Sequence, residues 1–62
     1  MSTKEQTLYN LLQDEGYSYG AVMTAMQILS QSREAMDDAI AYVYGEHPSE
    51  ADLVDYIAQL CS

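Results

Sequence analysis

The sequence contains no tryptophan and no phenylalanine, one cysteine, one proline and only two basic residues. The single cysteine, Cys61, excludes an intrachain disulfide and is typical of a reducing compartment. Lys4 and Arg33 stand against ten acidic residues, which gives a net charge of −8. Because so few cations cannot neutralise phosphates, we expect no direct binding to nucleic acid and none to anionic membranes. A basic protein surface would instead be attracted.

Long apolar runs are also missing. No stretch approaches the roughly 20 apolar residues of a membrane span, and the first six residues contain no apolar run, so we expect no signal peptide. These absences predict a cytoplasmic protein. Apolar residues nevertheless make up 48% of the 62 residues and recur periodically, which predicts a folded chain rather than a disordered acidic one. A chain of this length has room for one domain, which we assign to residues 1–62.

Four segments carry helical periodicity and none alternates as a strand does, so we predict an all-α fold. Ser2 or Thr3 caps a first helix that runs to about residue 15, because glutamate or glutamine follows three residues later, as in a capping box. Gly16 ends this helix in the left-handed region, and Ser18 caps the second. The apolar positions at helical spacing are Leu8, Leu11 and Leu12 in the first helix and Val22, Ala25, Met26 and Leu29 in the second.

The third and fourth helices are predicted in the same way. Ser32 caps a third helix over about residues 33–44, which Gly45 closes. A turn follows, because the residue before Pro48 avoids helical dihedrals, and Ser49 caps the fourth helix. Their apolar faces are Met36, Ala39, Ile40 and Val43, then Leu53, Ile57, Leu60 and Cys61. We predict a core made of Leu11, Val22, Met26, Leu29, Met36, Ile40, Val43 and Ile57.

Two segments carry a family resemblance: Glu15-Gly16-Tyr17-Ser18 between the first two helices, and Ala39-Ile40-Ala41-Tyr42-Val43 in the third. They resemble the ubiquitin-associated (UBA-like) three-helix domain, in which a Met-Gly-Phe or Met-Gly-Tyr loop joins the first two helices and the third carries an Ala-Val-x-Tyr-Leu type run. The resemblance spans roughly residues 8–44. It implies a compact UBA-like three-helix bundle over about residues 3–45, followed by an additional C-terminal helix at about 49–61.

The same resemblance implies a protein-binding surface formed by Tyr17 and the exposed end of the third helix near Tyr44. Glu15 stands where family members have a loop methionine that touches ubiquitin. With the acidic pair Asp37 and Asp38 on the third helix, these residues are our partner-binding candidates. Tyr17 also suits simple packing between helices, and paired acids at helical spacing also suit a solvated face.

We predict no catalytic residue, no cofactor and no metal site. His47 is the only imidazole, and Cys61 stands beside the C-terminus, where a nucleophile is poorly positioned. Glu46, His47 and Glu50 are too few ligands for zinc and lack the spacing of a calcium loop. Acyl carrier proteins are similar in size and charge, but the Asp-Ser-Leu triplet that they need is absent.

The six tyrosines are the unusual feature, because tyrosine is favoured at protein interfaces and at the edge of a core. We therefore expect a small acidic protein–protein interaction module or adaptor whose partner has a basic or mixed surface. The alternative is an acidic inhibitor that mimics DNA charge and occupies a nucleic-acid-binding protein, as some small phage proteins do. A third interpretation is a subunit that forms a homodimer through tyrosine-rich helices. Residues 8–12 match a Leu-x-x-Leu-Leu docking motif, but a chain this short needs these leucines in its core.

Overall fold

The computed structural model describes residues 1–61, and within them it contains helices and no strand. The all-α prediction is confirmed. The helices are α1 (Thr3–Asp14), α2 (Tyr19–Leu29), α3 (Arg33–Glu46) and α4 (Glu50–Cys61). None of these four helices has the length and apolar character needed to cross a bilayer.

A serine stands at the start of every helix, as the sequence predicts. Ser2 and Glu5 form a reciprocal capping box, in which each side chain accepts a hydrogen bond from the backbone N–H of the other residue. These bonds lower the pKa of the Glu5 carboxyl, because they stabilise its charged form. At the other three helices a serine Oγ accepts from the backbone N–H three residues on, in the pairs Ser18–Ala21, Ser32–Ala35 and Ser49–Asp52.

The second helix is the centre of the bundle. It packs against α1, α3 and α4, while α1 also packs against α3. Leu53 and Ile57 of α4 are buried in the same cluster as residues of the other three helices, so the prediction that the fourth helix packs on the core is confirmed. The fully or nearly fully buried residues are Leu8, Leu12, Val22, Ala25, Met26, Leu29, Met36, Ala39, Val43, Leu53 and Ile57.

Two predicted core residues, and one residue of the predicted apolar face of the fourth helix, are placed differently by the structure. Leu11 and Ile40 are only partly buried and pack at the edge of the core. Each lies one residue, or about 100° of helix rotation, from a buried neighbour, Leu12 and Ala39 respectively. Leu60 is 47% exposed, because α4 meets the core through its first two turns and its last turn extends beyond it.

The end of the third helix is also two residues later than predicted. Gly45 lies inside α3, and His47 ends the helix in the left-handed region with φ 47°, while its N–H donates to the Val43 carbonyl. Pro48 explains the position, because the residue before a proline is pushed out of the right-handed helical region. Gly16, in contrast, follows α1 with φ 85°, as expected of a glycine after a helix.

Candidate functional site

Side-chain hydrogen bonds join the α1–α2 loop to the α3–α4 turn. The Tyr17 hydroxyl donates to the Pro48 carbonyl at 2.6 Å, and His47 Nδ1 lies 3.0 Å from a Glu15 carboxylate oxygen. Burial raises the pKa of Tyr17, and the nearby Glu15 carboxylate raises it further. Two of the predicted partner-binding residues, Glu15 and Tyr17, therefore hold two connections of the fold together.

A second pair of bonds joins the same two segments. Glu50 at the start of α4 accepts hydrogen bonds from the backbone N–H of Ser18 at 2.7 Å and from its Oγ at 3.1 Å. In α1 the N–H of the cap residue Ser2 donates to Glu5, three residues later. The residue three positions after Ser18, the cap of α2, is Ala21, which has no carboxylate. Glu50 supplies the missing carboxylate from another helix, so it completes the cap of α2 through a tertiary contact.

The other side of α4 meets α3 through two tyrosines. The rings of Tyr42 and Tyr56 are stacked, with centroids 4.6 Å apart and planes inclined by 22°. Asp52, Asp55 and Gln59 line a cavity of about 320 Å³ together with the two rings. Burial raises the pKa of Tyr56, and the Asp38 carboxylate on α3 raises it further, because a second negative charge is disfavoured there. We call Asp38, Tyr42, Asp52, Asp55 and Tyr56 the acidic tyrosine face.

The positions of the basic residues leave this face without a neutralising ion pair among residues 1–61. Lys4 of α1 pairs with Asp37 of α3 at 2.7 Å, and Arg33 begins α3. Within residues 1–61 neither makes an ion pair with Asp38, Asp52 or Asp55, so no lysine or arginine in that part of the chain pairs with the carboxylates of the face.

The remaining predicted site residues, Asp37, Asp38 and Tyr44, all lie on α3. Tyr44 is 72% exposed, and within residues 1–61 no hydrogen bond or ring contact joins it to Tyr17. Asp37 is engaged with Lys4, while its neighbour Asp38 belongs to the acidic tyrosine face.

Sequence reasoning did not assemble that face. One local signal could have indicated it, because an aspartate stands four residues before the tyrosine on both helices, in Asp38–Tyr42 and Asp52–Tyr56, and residues four apart share a helix face.

A groove runs along the opposite side of α4, between that helix and α2. It has a volume of about 240 Å³ and is lined by Gly20, Ala21, Thr24, Glu50, Val54 and Ile57. Val54 is 50% exposed. We call these six lining residues the α2–α4 groove.

The next features are the side chains of the described residues that could bind a metal ion or act as a nucleophile. Within residues 1–61 no three histidine, cysteine or acidic side chains are grouped so that they could hold a metal ion. Cys61 is a free, exposed thiol.

Comparison of the chain with known proteins finds no matching protein family, no matching curated protein and no matching solved structure. The fold and its surface thus define a class, a small acidic four-helix domain with an acidic tyrosine face and an apolar groove.

Proposed function

We propose that this chain is a protein–protein interaction module that binds a basic segment of a partner protein through the acidic tyrosine face. The supporting observation is the stacked pair Tyr42 and Tyr56, with Asp52 and Asp55 in the same cavity and no neutralising ion pair among residues 1–61. This combination suits a lysine or arginine side chain, since ring faces attract cations and carboxylates accept their hydrogen bonds.

Two further features support a role in binding. The net charge of −8 would steer a basic surface towards the chain from a distance. Tyr44 on α3 is largely exposed, and exposed tyrosines are favoured interface anchors. The proposal includes no catalysis and no cofactor.

The UBA-like relationship also remains a proposal. It is supported by the left-handed Gly16 after α1 and by the packing of Tyr17 against the core. Because Glu15 and Tyr17 hold the α3–α4 turn, we assign them a structural role and place the partner on α3 and α4 instead.

The alternative function is an inhibitor that mimics the charge of DNA. It is supported by the distribution of the acids, seven of which lie on α3 and α4: Glu34, Asp37, Asp38, Glu46, Glu50, Asp52 and Asp55. The two functions differ in what binding depends on. A charge mimic depends on total charge, whereas a module depends on one defined face.

The experiment is an affinity pull-down with the full chain, followed by mass spectrometry. It compares the unaltered chain with a face variant, Asp38→Asn/Asp52→Asn/Asp55→Asn, and with a control that loses the same charge elsewhere, Asp14→Asn/Glu34→Gln/Glu46→Gln. Thermal melts of all three establish that they fold. We expect the unaltered chain and the control to retain the partner and the face variant to lose it.

The recovered partner is then titrated at about 0.05 to 0.5 M salt, over which the screening length of exposed charges falls below about 10 Å. Equal loss of binding in both variants, with a DNA-binding protein as the partner, would replace the proposed function by the alternative. Retention of the partner by the face variant would refute the proposed binding surface.

A further inference from the structure

We propose that the α2–α4 groove receives an apolar side chain from an amphipathic helix whose other positions are basic. The inference rests on the proposed function, because the helix belongs to the same class of basic protein partner. It adds a second recognition element, on the opposite side of α4 from the acidic tyrosine face, that binds an apolar side chain.

The size of the groove suits one anchor side chain. An apolar cavity of roughly 150 Å³ accommodates a benzene-sized group, and this groove has a volume of about 240 Å³. Gly20 contributes no side chain to this wall, and a Cβ built at this position would meet nothing within 4 Å, so the space beside it is open. Val54 is half exposed beside it, so an entering side chain would remove apolar surface from water.

The wall contributed by α2 is uncharged. Tyr19–Leu29 contains no acidic or basic residue, whereas each of the other helices contains at least three charged ones. Packing against three neighbours explains the buried positions of α2, but Tyr19, Gly20 and Thr24 are exposed and are still uncharged. An apolar side chain can therefore cover this exposed strip of α2 without removing a charged side chain from water, which would cost free energy.

The charge of the surroundings selects the occupant. Three acids and no cation lie on α2 and α4, with Glu50 at the rim of the groove and Asp52 and Asp55 on the same helix. Lysines or arginines that flank the anchor are attracted by the Glu50 carboxylate at the rim and by the net charge of −8. A second copy of the chain also has a net charge of −8 and would be repelled, as would an anionic membrane. A basic helix is therefore favoured over both as the occupant of the groove. Helices commonly bind grooves in this way, through apolar side chains on one face.

The test uses a synthetic helical peptide of about 14 residues, with leucine on one face and lysine at the other positions. A control peptide has glutamine in place of leucine and keeps every lysine. The groove is filled by Gly20→Leu in the full chain, and Gly45→Leu is the matched control. Both glycines lie in helices and have open space where a side chain would begin, so both variants should fold, which thermal melts check.

We expect the leucine peptide to bind the unaltered chain and Gly45→Leu with similar affinity and to bind Gly20→Leu about tenfold more weakly, a loss of about 1.4 kcal/mol. In amide chemical-shift maps it should perturb residues 20, 21, 24 and 54. Equal binding to Gly20→Leu, equal binding of the glutamine peptide, or no peptide binding at all would overturn the inference.

The proposed function fails in a distinguishable way. If Asp52→Asn/Asp55→Asn removes peptide binding while Gly20→Leu retains it, the groove is refuted and the acidic tyrosine face stands. If Gly20→Leu removes peptide binding and the asparagine variant retains it, the groove stands, and the pull-down with the face variant decides the acidic tyrosine face separately.

Discussion

Glu50 accepts two hydrogen bonds from Ser18, a residue 32 positions earlier in the chain, one from its backbone N–H and one from its Oγ. The first residue of α4 therefore completes the N-terminal cap of α2. This contact lies beside the hydrogen bonds by which Tyr17 and His47 join the α1–α2 loop to the α3–α4 turn, and Glu50 also stands at the rim of the α2–α4 groove.

Removal of the Glu50 carboxylate tests this cap. We expect Glu50→Ala to lower the free energy of unfolding by about 1 kcal/mol, because the Ser18 N–H loses its acceptor. For a domain of this size that corresponds to a fall in melting temperature of about 4–8 °C. Glu46→Ala at the exposed end of α3 is the control and should cost nothing, since an acid there opposes the helix dipole. Equal melting temperatures for the two variants would contradict the tertiary cap.

The two glycines at helix ends should respond to alanine in opposite directions. Gly16→Ala should destabilise the fold by about 1–2 kcal/mol, because φ 85° is strained for a residue with a Cβ. Gly45→Ala should stabilise it by about 0.5–1 kcal/mol, since Gly45 lies inside α3 and its Cβ would meet no atom within 4 Å. Urea unfolding of the two variants measures both signs. Destabilisation by Gly45→Ala would place the end of α3 at the position expected from the sequence.

Two leucines of α4 test whether this helix is part of the core. Leu53 is 1% exposed and Leu60 is 47% exposed. Leu53→Ala should cost about 2–5 kcal/mol, and Leu60→Ala less than about 1 kcal/mol. If Leu53→Ala does not fold, Ile57→Val gives a graded version at about 0.5–1.5 kcal/mol. Thermal melts that rank Leu60→Ala as the more damaging change would mean that α4 packs through its other end.

The raised pKa of Tyr17 predicts the response of the fold to alkali. Burial and the Glu15 carboxylate raise the pKa of Tyr17 in the folded chain. The neutral Tyr17 side chain therefore contributes fully to the free energy of unfolding below the pKa of about 10 that tyrosine has in the unfolded chain, and this contribution is lost as pH rises through the pKa of the folded chain. Tyr17→Phe should lose about 1 kcal/mol at neutral pH, with the hydrogen bond to Pro48, and should then lose less than the unaltered chain as pH rises.

Urea unfolding between about pH 7 and pH 11 brackets the tyrosine pKa and measures both effects. Tyr44→Phe on the exposed side of α3 is the control and should change neither quantity. If the free energy of unfolding falls equally with rising pH in the unaltered chain and in Tyr17→Phe, ionisation of Tyr17 does not destabilise the fold.

The helix starts could be predicted from the sequence because capping is a local interaction. Each serine side chain meets a backbone N–H three residues away, so the residues that decide the cap are adjacent in the sequence. The left-handed Gly16 is local in the same sense. The apolar periodicity likewise predicted the buried face of α2, where Val22, Ala25, Met26 and Leu29 all lie in the core.

Tertiary packing decided what periodicity leaves open. A stripe of apolar residues does not say which member faces the neighbouring helix most directly, so Leu11 and Ile40 were predicted in the core and lie at its edge. The arrangements that define the surface involve residues far apart in the chain: Tyr42 stacks on Tyr56, Ser18 donates to Glu50, and Gly20 and Val54 line the same groove. Local sequence rules act over three or four residues, whereas these pairs meet only after the helices have packed. The sequence by itself therefore determined the helices and their buried faces, and only the tertiary structure decided which tyrosines and acids share a surface.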